Sequence, residues 1–459
     1  MKKIICMFLA LCFTVSLMSG CGVNTSKGPE GTVTISVGNW PPDSKPEILA
    51  LYENDVAKMK AKYPHIIIEP DQWTYGMNTF LTKASSGQLP TLYSTFFTET
   101  DKIIDAGFAA DLTPFMEKYG YKDALNPYVM DLMSKNGKIY GIPTNAYAMG
   151  IMCNVNLFRD AGELDENGVP NFPKTFEELA ELAVRIKEKT GQAGFIFPTM
   201  ETSGGYHFLD LAWNFGVDFM KNEGGKWIST FDSPEAIEAL QYLKDLKWKY
   251  NVLPDNTFID MAEMRKTFAA DQGAMYLGNA PQRDLVNVYK MDRNDIACAP
   301  MPSGKNHHYT LMGGNLEFVS PTATQEQIEA VFLWEEMHGR TPAVTEDTIT
   351  AWNDEYKNDS DNGFIVGTVA YPIWVNQERL DKQQEVISKY TNVNLDMFKE
   401  FMKYEVPIRP EEPVNCRELY SILSSVVQAV LSDKNADCAA LIKKANSDFQ
   451  KNYLDNAEE

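Results

Sequence analysis

Residues 32–69, TVTISVGNWPPDSKPEILALYENDVAKMKAKYPHIIIE, change hydrophobic period twice. Thr32 to Val37 alternates, placing Val33, Ile35 and Val37 on one face of a strand. Ile48, Tyr52, Val56, Met59 and Tyr63 then recur at helical spacing as far as Pro64, which stops the helix. His65 to Glu69 returns to a β-rich run. Strand, helix and strand in this order form a βαβ unit, and such a unit demands a parallel sheet with its crossover helix packed on one face.

The same alternation continues downstream. Thr91 to Ser94 reads as a third strand. Thr175 with Glu178 three places on, ahead of Leu179, Leu182 and Ile186, reads as a capping box. Ser233-Pro234 places a cap before a proline at the first helical position, and Thr324 with Gln327 opens the run Ile328, Val331 and Phe332. Strands alternating with helices of this length predict an α/β fold. With 459 residues, the chain exceeds what one core usually supports, so two domains are expected.

Upstream, residues 1–21 read MKKIICMFLALCFTVSLMSGC. Lys2 and Lys3 precede an apolar run shorter than the roughly 20 residues of a membrane-spanning helix, and the small pair Ser19-Gly20 ends it. This is a secretory signal peptide over residues 1–20. Small residues directly before Cys21 resemble a bacterial lipobox, which implies that Cys21 is acylated. Residues 21–30 are then a polar tether carrying Gly28-Pro29, long enough to hold the body roughly 30 Å from its anchor.

The formal net charge of −21 excludes a nucleic acid partner, because phosphate-backbone binding needs the opposite sign. Beyond the leader, Cys153, Cys298, Cys416 and Cys438 show no CxxC or CxxH spacing. Cys153 and Cys298 stand in apolar runs and read as core, whereas the pairing of Cys416 with Cys438 is left open by spacing alone. Nucleotide, zinc-hydrolase and nucleophile-elbow motifs are missing from the sequence. Asp433, Asn435 and Asp437 mimic the start of a calcium loop, but Cys438 and Lys444 occupy its sixth and twelfth places. The acidic stretch Asp354 to Asp361 and the pair His307-His308 read as solvated loops. No metal and no cofactor is expected.

Several segments in order resemble the extracellular solute-binding proteins of ABC importers, in particular the large sugar-binding class that includes maltose-binding protein. They are Gly87 to Thr91 (GQLPT), Ala109 to Pro114 (AADLTP), Gly137 to Pro143 (GKIYGIP), Asn154 to Gly162 (NVNLFRDAG), Pro173 to Leu179 (PKTFEEL), Phe268 to Met275 (FAADQGAM), Ala299 to Pro302 (APMP) and Gly313-Gly314-Asn315. The resemblance implies a two-lobed periplasmic-binding-protein-like α/β fold with a hinge and an interlobe ligand cleft. It places residues 31–143 and 300–345 in an N-terminal lobe, and 144–299 and 346–459 in a C-terminal lobe. Gly141-Ile142-Pro143, between two strand-like runs, suits the hinge.

Function follows as an expectation: a monomeric, lipid-anchored protein on the extracellular face of a bacterial membrane captures a carbohydrate, an oligosaccharide by preference, and hands it to ABC permease subunits. A sugar offers a flat C–H face and a rim of hydroxyls, so its receptor needs aromatic platforms and planar hydrogen-bonding groups. In open α/β sheets ligands lie beyond the carboxyl ends of strands. That rule nominates Trp40, then Trp73 and Tyr75, then Glu99, which follows Phe96 and Phe97. Asn145 and Tyr147 stand just past the expected hinge, Asp210 and Trp213 after Gly204-Gly205, and Asn279 after the FAADQGAM run. Asn315 follows the glycine pair, and Trp374 lies in a loop able to close over ligand. Trp248 and Trp334 sit on helical faces and read as core. The alternatives are a solute-binding protein for a non-sugar ligand and a secreted carbohydrate-active enzyme with two carboxylates.

Overall fold

The computed structural model describes residues 31–455. The expected leader, the expected acylation site Cys21 and the expected tether to residue 30 lie outside the described residues.

The opening βαβ unit forms as its periodicity demands. Strands Val33–Val37 and Ile66–Pro70 pair in parallel, with Val33 opposite Ile66 and Val37 opposite Pro70. Helix Pro46–Lys62 crosses between them, begins with proline and buries Met59. Strand Leu92–Phe96 joins on the other side, and Thr310–Val319 pairs antiparallel against it. Helix Gln325–Met337 covers this sheet; Thr324 caps it, accepting from the Gln327 amide while the Gln327 side chain accepts from the Thr324 amide. Helix Pro234–Trp248 starts as expected on Ser233. At Thr175 only half the box closes, because the Glu178 carboxylate takes the Lys174 amide instead.

Two hydrophobic cores divide the molecule into two lobes. One gathers Ile35, Met59, Leu92, Phe115, Ile142, Phe318, Val331 and Trp334. The other gathers Ile151, Phe158, Leu182, Phe208, Leu243, Met275, Leu423 and Ile442 around the short sheet of Gly150–Asn154, Met275–Gly278 and Ile296–Pro300. Cys153 and Cys298 lie fully buried in it, while Cys416 and Cys438 are buried free thiols.

The lobes are joined by two paired strands. Gly141–Ala148 runs antiparallel to Thr310–Val319, from Gly141 opposite Phe318 to Ala148 opposite Met312. Ala146 and Met312 belong to the first core, Met149 and Leu311 to the second. The crossing therefore lies between Ala146 and Met149, not at Gly141 to Pro143. Those three residues are buried in the first lobe, and Gly141 is glycine for packing, since a Cβ there would come within 2.4 Å of Leu316 Cδ1.

Other expected boundaries move as well. Ile296–Pro300 pairs with Gly150–Asn154 and Met301 is in the second core, so the return to the first lobe comes near Met312 instead of residue 300. Residues 346–361, assigned to the C-terminal lobe, form a helix on the first lobe. The acidic stretch read as a loop is its second half, where Asp354 meets Lys58 Nζ at 2.8 Å; in the first turn of the same helix Asp347 meets Lys62 Nζ at 2.5 Å, so both halves answer the basic edge of helix Pro46–Lys62. Likewise, FAADQGAM is not one strand; Phe268 and Ala269 end a helix and only Met275 enters the strand.

Candidate ligand site between the lobes

On the first lobe, strand Leu92–Phe96 delivers Phe96 at its carboxyl end, where the ring is 40% exposed. The next turn carries Glu99, whose carboxylate is buried and accepts from the Tyr75 hydroxyl at 2.6 Å. Tyr75 meets Phe96 edge-on at 6.4 Å. Asn315 stands opposite Phe96 on one side and Asn145 on the other, so two amides flank the platform. Asn145 is exposed.

The second lobe answers with tyrosines. Tyr147 leaves the crossing strand and receives the Tyr206 hydroxyl at 3.3 Å. Gly313 makes room for it: a Cβ there would lie 2.4 Å from the Tyr147 hydroxyl. Tyr206, in the first turn of helix Ser203–Phe215, packs edge-on to Tyr420, whose hydroxyl donates to Glu411 Oε1 at 2.6 Å. One turn of helix Cys416–Ser432 before Tyr420, Arg417 lays its guanidinium over Phe96 at 5.5 Å from the ring centroid.

Burial sets the protonation of this cluster. It lifts the Glu411 carboxyl to about 7, opposed by the Tyr420 hydrogen bond and the Arg417 charge and reinforced by Glu99 across the gap. Burial also raises Tyr75, Tyr147 and Tyr206, which therefore stay phenols and hydrogen-bond donors at neutral pH. Exposed aromatic faces, phenols, carboxyls, amides and a guanidinium together can stack on a sugar ring and bind its hydroxyls.

The remaining nominated residues fall elsewhere. Trp40, 7% exposed, stacks on Trp334 at 6.2 Å and meets Tyr52 at 5.1 Å inside the first lobe. Trp73 packs between Phe80 and Tyr93 with Lys83 over its face. Trp213 is fully buried, donates to Glu412 Oε1 at 3.0 Å and carries Arg409 on its ring. Asp210 is fully buried and accepts from the Leu311 amide at 2.9 Å, a brace on the crossing strand. Asn279 accepts from Gln282 at 2.8 Å near the end of Met275–Gly278. Trp374 is buried between Tyr121 and Arg379 in the first lobe. Trp248, expected in the core, is 42% exposed and donates to the Val430 carbonyl. Gly204-Gly205, a pair whose composition reads as a turn, sits in the first helical turn, and residue 205 is glycine because a Cβ there would come 2.0 Å from the Tyr420 carbonyl oxygen.

Phe96, Tyr206, Glu411, Arg417 and Tyr420 complete the cluster without having been nominated. Phe96 was legible beside Glu99. The others stand on elements that approach the crossing only in the folded chain, and no local motif marks them.

Two surface grooves lie away from this cluster: one of about 530 Å³ between Phe115, Lys118 and Leu333, and one of about 310 Å³ between Met200, Phe258 and Tyr289. Among the described residues no group of three or more His, Cys, Asp or Glu side chains is arranged for a metal, and Asp437 caps helix Cys438–Phe449. Nor is any described helix long and apolar enough to cross a membrane.

A family model described as bacterial extracellular solute-binding protein matches residues 44–334. The arabinooligosaccharide-binding protein of Bacillus subtilis is 26% identical over 259 residues, which cover 54% of this chain and 55% of that protein. The diacetylchitobiose binding protein DasA of Streptomyces coelicolor is 25% identical over 225 residues, 49% of this chain and 48% of that one. The chain thus matches about half the length of these relatives. Over 93% of this chain and 100% of the other, the fold is similar to the GacH receptor of Streptomyces glaucescens, with a TM-score of 0.68 at 16% identity.

Proposed function

The chain belongs to the bacterial extracellular solute-binding protein family, and we propose that it captures an oligosaccharide between its lobes for an ABC permease. The observation that carries this reading is the facing of Tyr75, Phe96 and Glu99 by Tyr147, Tyr206, Glu411 and Arg417 beside the two crossing strands. Aromatic faces supply area at low conformational cost, and the polar groups fix orientation. Sugar-binding relatives support the same ligand class. Held by acylated Cys21, the protein would stay at the extracellular face of the membrane; Cys21→Ala is expected to move it into the medium, and retention of that variant on the membrane argues against the anchor.

The ligand test is a thermal-shift panel of arabino-, chito- and malto-oligosaccharides, since a ligand that binds only the native state raises the melting temperature. An oligosaccharide is expected to raise it, and failure of the whole panel alongside a shift with a phosphodiester or polyamine would replace the sugar reading. Glu99 and Glu411 also put a carboxyl on each lobe, so the panel includes recovery of the sugar. Unchanged sugar fits a receptor, whereas turnover would make the protein a glycoside-active enzyme.

A further inference from the structure

The lobes also meet away from the hinge, where Arg283 pairs with Asp359 and, separately, through one turn of helix. Asn415 adopts a left-handed conformation, φ 49°, and turns the chain into helix Cys416–Ser432. The first turn of that helix then reaches the first lobe twice. Arg417 covers the exposed face of Phe96, and the Glu418 carboxylate accepts from Lys102 Nζ at 3.1 and 3.3 Å. Lys102 sits on the short helix Thr100–Asp105, directly after the turn that carries Glu99. Among the described residues no carboxylate lies within ion-pairing distance of the Arg417 guanidinium; its charge acts on Glu411 from further off, and its direct contact is with Phe96 on the opposite lobe.

Both contacts join residues more than 300 positions apart and exist only while the lobes are together. Separating the lobes exposes Phe96 and strips Lys102 of Glu418; among the described residues neither group has another partner of that kind. A cation on an aromatic face and a partly exposed ion pair are each weak alone, but an equilibrium between two rigid bodies responds to small differences.

We propose that Arg417 and Glu418 form a clasp that holds the second lobe against Phe96 and Lys102 and so sets the closed fraction of the unliganded protein. The proposal rests on the two-lobed reading with an interlobe ligand site for its consequence, since affinity scales with the fraction already competent to bind. The contacts themselves are testable without any ligand. The clasp also explains why the helix begins with Arg-Glu facing a Phe and a Lys: the two charges are of opposite sign and each meets its own complement.

The test compares the radius of gyration by solution scattering of the full chain, at low ionic strength where charge pairs are least screened. Lys102→Glu, Glu418→Lys and Arg417→Gln are each expected to increase the radius. The double variant K102E/E418K, which restores the pair in reverse, is expected to return to the wild-type radius. A single variant that merely misfolds would not be rescued by a second change, so the double variant separates clasp from folding. Single reversals as compact as wild type, or a double variant as expanded as the singles, would overturn the proposal. Either result leaves the carbohydrate reading to its own binding panel.

Discussion

Trp40 and Phe96 show what decides the role of an aromatic residue here. Trp40 follows the strand Val33–Val37 and Phe96 ends the strand Leu92–Phe96, at the edge where ligand is expected, but Trp40 is sealed against Trp334 and Tyr52 whereas Phe96 stays 40% exposed with Arg417 laid over its ring. Trp40→Ala is therefore expected to cost about 3–5 kcal/mol of stability, as large-to-small core changes do, and to leave sugar affinity intact in the folded fraction. Phe96→Ala is expected to weaken sugar binding roughly three- to tenfold, the loss of about one aromatic contact, with little change in melting temperature. Denaturant titration and calorimetric binding on both variants check the pair; the reverse assignment of effects would exchange their roles. Asp210 sets a third expectation. Burial raises its carboxyl to about 8, the Leu311 amide opposes this, and among the described residues Oδ2 has no hydrogen-bond partner. Its native value lies above the unfolded one, so the native state holds the extra proton between about 4 and 8 and stability falls as pH rises through that window. His207, lowered to about 4 by burial, acts in the opposite sense below its unfolded value near 6.5. From pH 6.5 to 8, then, wild type should lose melting temperature relative to Asp210→Asn, and parallel curves would remove the buried-acid account.

Elements were legible where a short local rule governs them, and obscure where a distant neighbour does. The caps at Ser233 and Thr324 and the helix stop at Pro64 need only residues a few places apart, and they formed as read. The strand read at Thr91 to Ser94 forms as Leu92–Phe96, whereas the strand Thr310–Val319 is not among those expected from the sequence. Gly204-Gly205 misleads because glycine signals a turn locally, whereas its cause is 219 residues away: helix Ser203–Phe215 lies so close to helix Cys416–Ser432 that the Gly205 amide donates to Ser424 Oγ at 2.8 Å. Gly205→Ala would drive a Cβ into backbone, which cannot yield as a flexible side chain does. Overpacking of that kind costs about 1–3 kcal/mol, and for a lobe of this size each kcal/mol lowers the melting temperature by roughly 2–4 °C. A melting temperature within 1 °C of wild type, by the same ~2 °C yardstick, would show that the two helices can part freely. Asp354 to Asp361 illustrates the converse, where a charge run reads as loop until its cationic partners are placed beside it: Lys58 by Asp354, Arg283 by Asp359 and Lys357 by Asp361.

For the whole molecule the division into two α/β lobes was legible from alternation and length, yet the hinge was misplaced by several residues. Gly141-Ile142-Pro143 has hinge-like composition, but a hinge is the place where two cores stop sharing side chains, and only the packing of Ala146 against one core and Met149 against the other locates it. Glu411, Arg417 and Tyr420 were invisible for the same reason: what makes them site residues is Phe96 and Tyr147 on the far side of that hinge.

Closure over ligand then acquires a pH dependence. Glu411 faces Glu99, Tyr147 and Arg417 across or beside the gap and Tyr420 and Cys416 on its own side, and in the closed arrangement burial lifts its carboxyl to about 7. Opening is expected to hydrate it and return it toward the ordinary carboxyl value near 4.5. The closed state thus binds the extra proton, so closure is favoured fully below the open-state value and loses that advantage as pH rises toward 7. Because ligand selects the closed form, sugar affinity should be higher at pH 5 than at pH 8, and the ligand-induced fall in radius of gyration should follow the same trend. Glu411→Gln keeps an acceptor for the Tyr420 hydroxyl and carries no charge at either pH, so its affinity should be flat across the range. Wild-type affinity that is flat as well would mean that Glu411 stays solvated when the lobes close, and its place in the site would be lost.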